Sequence, residues 1–200
     1  MESSYAENNL GDEIYNLVMK LKPEKVVEVG ALEGYSAVAI GKALKELGGG
    51  HLHVYDLFEE YQYKHSTIDN VQKNINAHEL QDYITLYQGS LEDWLDKKED
   101  FDLLHVDISN DGDTVRTVLG AVENTLTNGA ICIFEGGSRE RDEIDWMVKY
   151  NRPSINPVVE EHNGILLTEA FPSICMFSNQ VTLSRYIKET TKQNNYDTFI

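Results

Sequence analysis

Apolar residues recur along this chain with two alternating periods. Ile14, Leu17, Val18 and Leu21 fall at i, i+3, i+4 and i+7 within residues 12–21, one apolar stripe on a helix that must stop ahead of Pro23. KVVEV, residues 25–29, is a short β-branched run ending at Gly30. Ala37, Ile40, Leu44 and Leu47 then resume the helical spacing as far as Gly48-Gly49-Gly50. The unit repeats. HLHVYDL (51–57) leads through a polar loop to a helix carrying Ile68, Val71 and Ile75, and YITLYQG (83–89) follows. FDLLHVDI (101–108) precedes a helix with Val115, Val118, Leu119, Val122 and Leu126, and AICIFEGG (130–137) comes next.

Such alternation predicts a parallel sheet covered on both faces, because each crossover is right-handed and returns the chain to the same sheet. Past a helix expected around residues 139–149, GILLTEA (164–170) and SICMFSN (173–179) flank a Phe171-Pro172 turn and read as an antiparallel hairpin. The predicted fold is α/β: a Rossmann-like, doubly wound, mostly parallel seven-stranded sheet with a C-terminal antiparallel hairpin. The expected organisation is one domain over residues 1–200, with a leading helix (1–22), a core (23–180) and a C-terminal helix or tail (181–200).

Composition narrows the setting. Two hundred residues suffice for one well-filled core, and no apolar run approaches the roughly 20 residues of a membrane span. The opening MESSYAENNLGDEI has neither the basic start nor the apolar stretch of a signal peptide, so the cytoplasm is the expected compartment. Cys132 and Cys175 lie in apolar runs without metal-ligand spacing and are expected to be buried free thiols. A net charge of −17 opposes approach to phosphate backbones, which argues against a nucleic-acid partner.

In open α/β sheets, ligands bind beyond the carboxyl ends of the strands, so candidate chemistry is sought where each strand stops. The first ends at Glu28-Val29-Gly30, with Gly34 opening the next helix, a tight turn that lets a ligand approach the backbone near a positive helix terminus. Leu32 stands where a GxGxxG fingerprint has its middle glycine, which disfavours a dinucleotide pyrophosphate site. Asp56, followed by Leu57, closes the second strand, where a carboxylate accepts hydrogen bonds from paired ribose hydroxyls; a solvated loop acid is the plainer alternative. Gln88-Gly89-Ser90 and then Leu91 and Glu92 offer a small, partly apolar bracket for an adenine edge, while Trp94 reads as core.

VVEVGALEGYSAVAIGKAL resembles the first motif of the catechol O-methyltransferase-like group, an acid, x, Gly, three residues, then Gly-Tyr-Ser, met here by Glu28, Gly30, Gly34, Tyr35 and Ser36. YQGSLEDWL is similar to that group's adenine segment. DLFEEY, DISNDGDT and FPSICMF look more like macrocin O-methyltransferase-like, sugar-methylating enzymes. The resemblance, over roughly residues 8–180, implies a class I S-adenosylmethionine-dependent methyltransferase. It implies that Glu28, Gly30, Gly34, Tyr35 and Ser36 shape the methionine end of the cofactor, that Asp56 with Leu57 holds the ribose, and that Gly89, Ser90, Leu91 and Glu92 line the adenine. Asp107 would stand where the cofactor's amine and the acceptor meet.

The pattern also departs from its relatives. Catechol-type enzymes bind a divalent cation through an acid after the fourth strand and an Asp-Asn pair after the fifth, with a lysine base nearby; the matching positions here read Asp107, Glu135, Gly136 and Asn110. The second acid of the sugar-methylating pattern is Ser109. Mg²⁺ bound through Asp107 and Glu135 is conceivable but not favoured. Asp111 and Asp113 read as the acidic start of a helix. Without a metal, deprotonation falls to Asp107 or Glu135, with His105 expected to be a packed, hydrogen-bonded residue and His162 a surface one. Arg139 and Arg141 are candidates to bind an anionic group on the acceptor or to pair with Glu140 or Asp142. The leading expectation is O-methylation of a small molecule, a sugar or other hydroxylated metabolite, by a chain that could also form a homodimer. A non-catalytic S-adenosylmethionine-binding protein and, less favoured, a nicotinamide-dependent dehydrogenase stand as alternatives.

Overall fold

The computed structural model describes residue 1 and residues 3–197, of which 189–197 as backbone only. The strands are β1 (Lys25–Val29), β2 (His51–Asp56), β3 (Ile84–Gln88), β4 (Leu103–Val106), β5 (Ile131–Glu135), β6 (Ile165–Thr168) and β7 (Ile174–Phe177). They form one seven-stranded sheet in the order β3-β2-β1-β4-β5-β7-β6. β7 alone runs against the rest, antiparallel to both β5 and β6. The first five strands and the C-terminal hairpin are therefore arranged as their periodicity predicts. Strand order reverses between β1 and β4, which opens a crevice at their carboxyl ends.

The period-2 alternation of the strands divides the core. Val26, Leu103, Ile131 and Ile133 pack on one face with Ile14 and Leu17 of α1 (Leu10–Leu21) and Ile40 and Leu44 of α2 (Tyr35–Leu47). The same cluster takes in Val71 and Ile75 of α3 (Ile68–Ala77). Val27, Val29, Leu104, Val106 and Phe134 point to the other face and meet Trp94 of α4 (Leu91–Lys97) and Val115 and Val118 of α5 (Gly112–Ala121). Cys132 and Cys175 are buried and free in this second cluster.

Local differences from the expected elements have local causes. The stripe from Val115 to Leu126 is divided between α5 and α6 (Glu123–Thr127), because Val122 leaves helical geometry at φ −106° and ψ 11°. The helix expected around 139–149 is two short ones, α7 (Arg139–Asp142) and α8 (Asp145–Lys149), interrupted where Ile144 is extended. Three elements were too short to show a period: 3-10 turns at Ser4–Glu7, which buries Tyr5, and at Phe58–Glu60, which buries Phe58, and α9 (Asn156–Glu161), which buries Val158 and Val159. A last helix, α10 (Gln180–Asp197), occupies most of the expected tail, whose residues 198–200 lie outside the described residues. Among the described residues no helix is long and apolar enough to cross a membrane.

Candidate active site

A cavity of about 410 Å³ opens at the carboxyl ends of β1, β2, β3 and β4, within the roughly 300–1,000 Å³ span of small-molecule sites. Gly30 makes the crevice passable. Its φ is +94°, and a methyl on its Cα would stand 2.0 Å from the carbonyl oxygen of Asp107. Only glycine lets the two strand ends come so close. The loop continues through Leu32, also left-handed at φ +48°, so the turn is made with a side chain where the dinucleotide fingerprint has glycine. Leu32 occupies the cavity wall.

Asp56 ties this loop down. One carboxylate oxygen accepts from the Ala31 N–H and the other from the Phe58 N–H, both at 2.6 Å. A carboxylate has about four lone-pair sites, so ribose hydroxyls can still be accepted at Asp56. Leu57 adjoins it in the wall, and Gly89, Ser90, Leu91 and Glu92 lie in the wall of the same cavity. Ser90 also caps α4 in a reciprocal capping box with Asp93. Tyr35, Ser36 and Asp107 complete the group that the structure brings together around one space.

Three expected site residues sit elsewhere. Gly34 is the left-handed N-cap of α2, shaping the loop without entering the wall. Glu28 is fully buried beneath the cavity. Parallel register sets it beside His105, whose Nδ1 lies 2.8 Å from Glu28 Oε1, and the Tyr5 hydroxyl sits 3.2 Å from the Nε2. His105 is thus packed and hydrogen-bonded, as expected. The third is Glu135. Both its oxygens are held by Arg141, from Nε at 2.6 Å and from Nη2 at 2.7 Å, and the pair is buried. Glu135, expected as a catalytic residue, is thus engaged by Arg141 and lies outside the cavity wall.

Arg141 in turn lies outside the cavity wall and does not pair with its acidic neighbours in sequence. Glu140 accepts from the Phe171 N–H, and Asp142 from the N–H groups of Ile155 and Asn156. Asn110, where the relatives' lysine belongs, is buried and donates to the carbonyls of Val106 and Glu135, stapling β4 to β5. Asp111 caps α5 by accepting from the Thr114 N–H, and His162 is exposed.

Strand alternation puts Asp107 on the same face as His105, and that face is rich in acids. Burial first, and then the charge of Glu135, push Asp107 up to about 7, while His105 pulls it back only in part. Burial alone would lower His105, yet the hydrogen bond and charge of Glu28, with Asp107 and Glu135 behind it, hold it above its ordinary value. Burial, with the charges of Asp107 and Glu135, raises the Tyr5 phenol well above its usual range.

A divalent cation does not suit this donor set. Its second carboxylate, Glu135, is already matched by a guanidinium, whose positive charge would repel the ion. Among the described residues no cluster of three His, Cys, Asp or Glu is placed to hold one. S-adenosylmethionine does fit: a glycine-lined crevice, a cavity-lining acid at Asp56 and a small-residue bracket at Gly89-Ser90 surround one cavity.

Comparison with known proteins agrees. Among curated proteins none matches the chain. An O-methyltransferase from Bacillus cereus solved with SAH is 18% identical, with a TM-score of 0.63 over 86% of this chain and 81% of that one. The SAH-bound methyltransferase PaMTH1 from Podospora anserina is 16% identical, with a TM-score of 0.64 over 89% of this chain and 79% of that one. The O-methyltransferase TomG from Streptomyces achromogenes, solved with SAM, is 15% identical, with a TM-score of 0.60 over 85% and 79%. At these identities the likeness establishes the fold. The family described as "Methyltransferase domain" matches residues 27–135, from β1 through the end of β5. The chain belongs to that family and is a class I S-adenosylmethionine-dependent methyltransferase.

Proposed function

We propose that the protein transfers the methyl group of S-adenosylmethionine to a hydroxyl of a small, polar, sugar-like acceptor, with Asp107 as general base. The observation that carries this reading is Asp107 itself, a carboxylate in the cavity wall next to Gly30 whose proton affinity is raised to about 7. S-adenosylmethionine supplies an already activated sulfonium methyl, so the chain's task is to align the acceptor and take its proton. Asp56 would hold the ribose, and Gly30, Tyr35 and Ser36 the methionine end. A base with an affinity near neutrality is matched to that work. Ser3, Ser4, Tyr61 and Ser109 add hydroxyls to the wall, which supports a polyhydroxylated acceptor over a flat catechol. The names of the solved O-methyltransferases support oxygen as the methylated atom. A net charge of −17 favours a small acceptor over a nucleic acid. Composition favours a cytoplasmic setting.

The test is incubation with isotopically methyl-labelled S-adenosylmethionine and a panel of sugars, glycosides and phenols, with release of S-adenosylhomocysteine and label in an O-methyl product as the expected outcome. Label on nitrogen would refute the choice of atom. The withdrawal of Glu135 and Asn110 into structural roles favours one other reading, a cofactor-binding subunit without turnover. That reading predicts tight cofactor binding with no S-adenosylhomocysteine released on any acceptor.

A further inference from the structure

Gly11 has no backbone reason to be glycine. It is the second residue of α1, buried, in an ordinary helical turn that any residue could adopt. Glycine is a poor helix former, and on propensity alone alanine would suit the position better. What stands in the way is one side chain. A methyl on the Gly11 Cα would lie 2.8 Å from Tyr35 Cε1, 2.9 Å from the Tyr35 hydroxyl oxygen and 3.0 Å from its Cζ. Carbon atoms pack best at roughly 3.5–4.0 Å, so the ring already occupies the space of the missing methyl. At Gly30 the obstacle is a carbonyl fixed at a strand end, whereas at Gly11 it is the outer end of a side chain, which can turn. Tyr35 itself opens α2, packs against the core on the α1 side of the sheet, and forms part of the cavity wall next to Ser36.

We propose that Gly11 is a positioning residue of the S-adenosylmethionine site: its missing side chain is the socket in which the Tyr35 ring rests, and so it sets where Tyr35 borders the cavity. The inference rests on the functional reading above, in which Tyr35 meets the methionine end of the cofactor. It extends the site to α1, which lies outside the family-matched residues 27–135. A methyl at residue 11 costs the fold little, because it improves the helix and the ring end can swing aside. The same methyl moves the ring from the place where the cofactor meets it. Cofactor affinity should therefore fall while stability holds. A glycine kept only for helix packing would show the reverse, with stability lost and affinity retained.

Calorimetric titration with S-adenosylmethionine and thermal melting of the full-length protein test this in a cycle of Gly11→Ala, Tyr35→Ala and the double variant. Gly11→Ala should bind the cofactor roughly 10-fold more weakly yet melt within about 3 °C of the wild type. In the Tyr35→Ala background, where the socket is empty, the same substitution should change affinity by less than about twofold. Equal losses in the two backgrounds would mean that Gly11 acts by some route other than the ring and would overturn the proposal. Normal binding by Tyr35→Ala would sink the functional reading at this residue and the positioning role with it, whereas weak binding by Tyr35→Ala beside normal binding by Gly11→Ala would sink the positioning role alone. Amide NMR of the wild type needs no variant to fold. Titration with S-adenosylhomocysteine should shift the Gly11 N–H signal through the ring against it, and leave in place that of Gly120 on α5, where a methyl would meet nothing within 4 Å. A stationary Gly11 signal would overturn the proposal even if Gly11→Ala failed to fold.

Discussion

Arg141 grips Glu135 through two parallel hydrogen bonds at 2.6 and 2.7 Å in a site sealed from solvent, and so decides what the end of β5 cannot do. A guanidinium and a carboxylate matched in this fork satisfy each other, whereas either one alone would be a stranded charge. Arg141→Leu should therefore cost about 3–5 kcal/mol in urea unfolding, while Arg141→Leu combined with Glu135→Leu should recover most of that loss. A double variant as unstable as the single one would mean that the site depends on Arg141 for packing and not for charge.

Gly30 is the second structural hinge of the site. Alanine there incurs both an unfavourable positive φ and a collision with the Asp107 carbonyl. Each should cost about 1–3 kcal/mol, and relief by moving β1 from β4 would distort the crevice. Gly30→Ala is expected to lower the melting temperature and to abolish S-adenosylmethionine binding in the same preparation. Normal affinity in a folded Gly30→Ala protein would show that the crevice is not where the cofactor binds.

Asp56 does two jobs with one carboxylate, closing the β1 loop and facing the cavity. Hydrogen bonds to a charged group contribute about 1.5–3 kcal/mol, so Asp56→Ala should weaken S-adenosylmethionine binding roughly 10- to 150-fold by calorimetry. Asp56→Asn keeps one acceptor oxygen and should fall between the two. Unchanged affinity in both variants would move the ribose elsewhere.

The raised proton affinity of Asp107 has consequences for rate and for stability. As a base it works deprotonated, so the methyl-transfer rate should climb as pH rises through about 7. Removing the negative charge of Glu135 lowers the affinity of Asp107, so Glu135→Gln should move that rise to lower pH. For stability the sign is opposite. Between the ordinary carboxylate value of about 3.9 and about 7, the folded chain binds this proton more tightly than the unfolded chain, so stability falls as pH rises through that window. Asp107→Asn should thus melt above the wild type at pH 8 and close to it at pH 4. A variant that melts lower at pH 8 would show that the carboxylate is not strained.

The alternation of β-branched runs with i, i+3, i+4 stripes carried the β1–β5 order, the hairpin at Phe171-Pro172 and the two-sided core, because burial on a sheet face or a helix stripe imposes a period on the residues themselves. The motif from Glu28 to Ser36 likewise announced its turn, since Gly30 is the residue that a close approach of two strand ends demands. Tertiary structure alone decided the electrostatics. Glu135 and Arg141 are six residues apart, but nothing in their spacing says that both turn inward. Tyr5 and His105 are a hundred residues apart, and Tyr5 sits in a turn too short to have a period. Periodicity reports which face a side chain takes. Whether a carboxylate there is a free base, half of an ion pair or a link in a hydrogen-bonded line depends on what the rest of the chain brings against it.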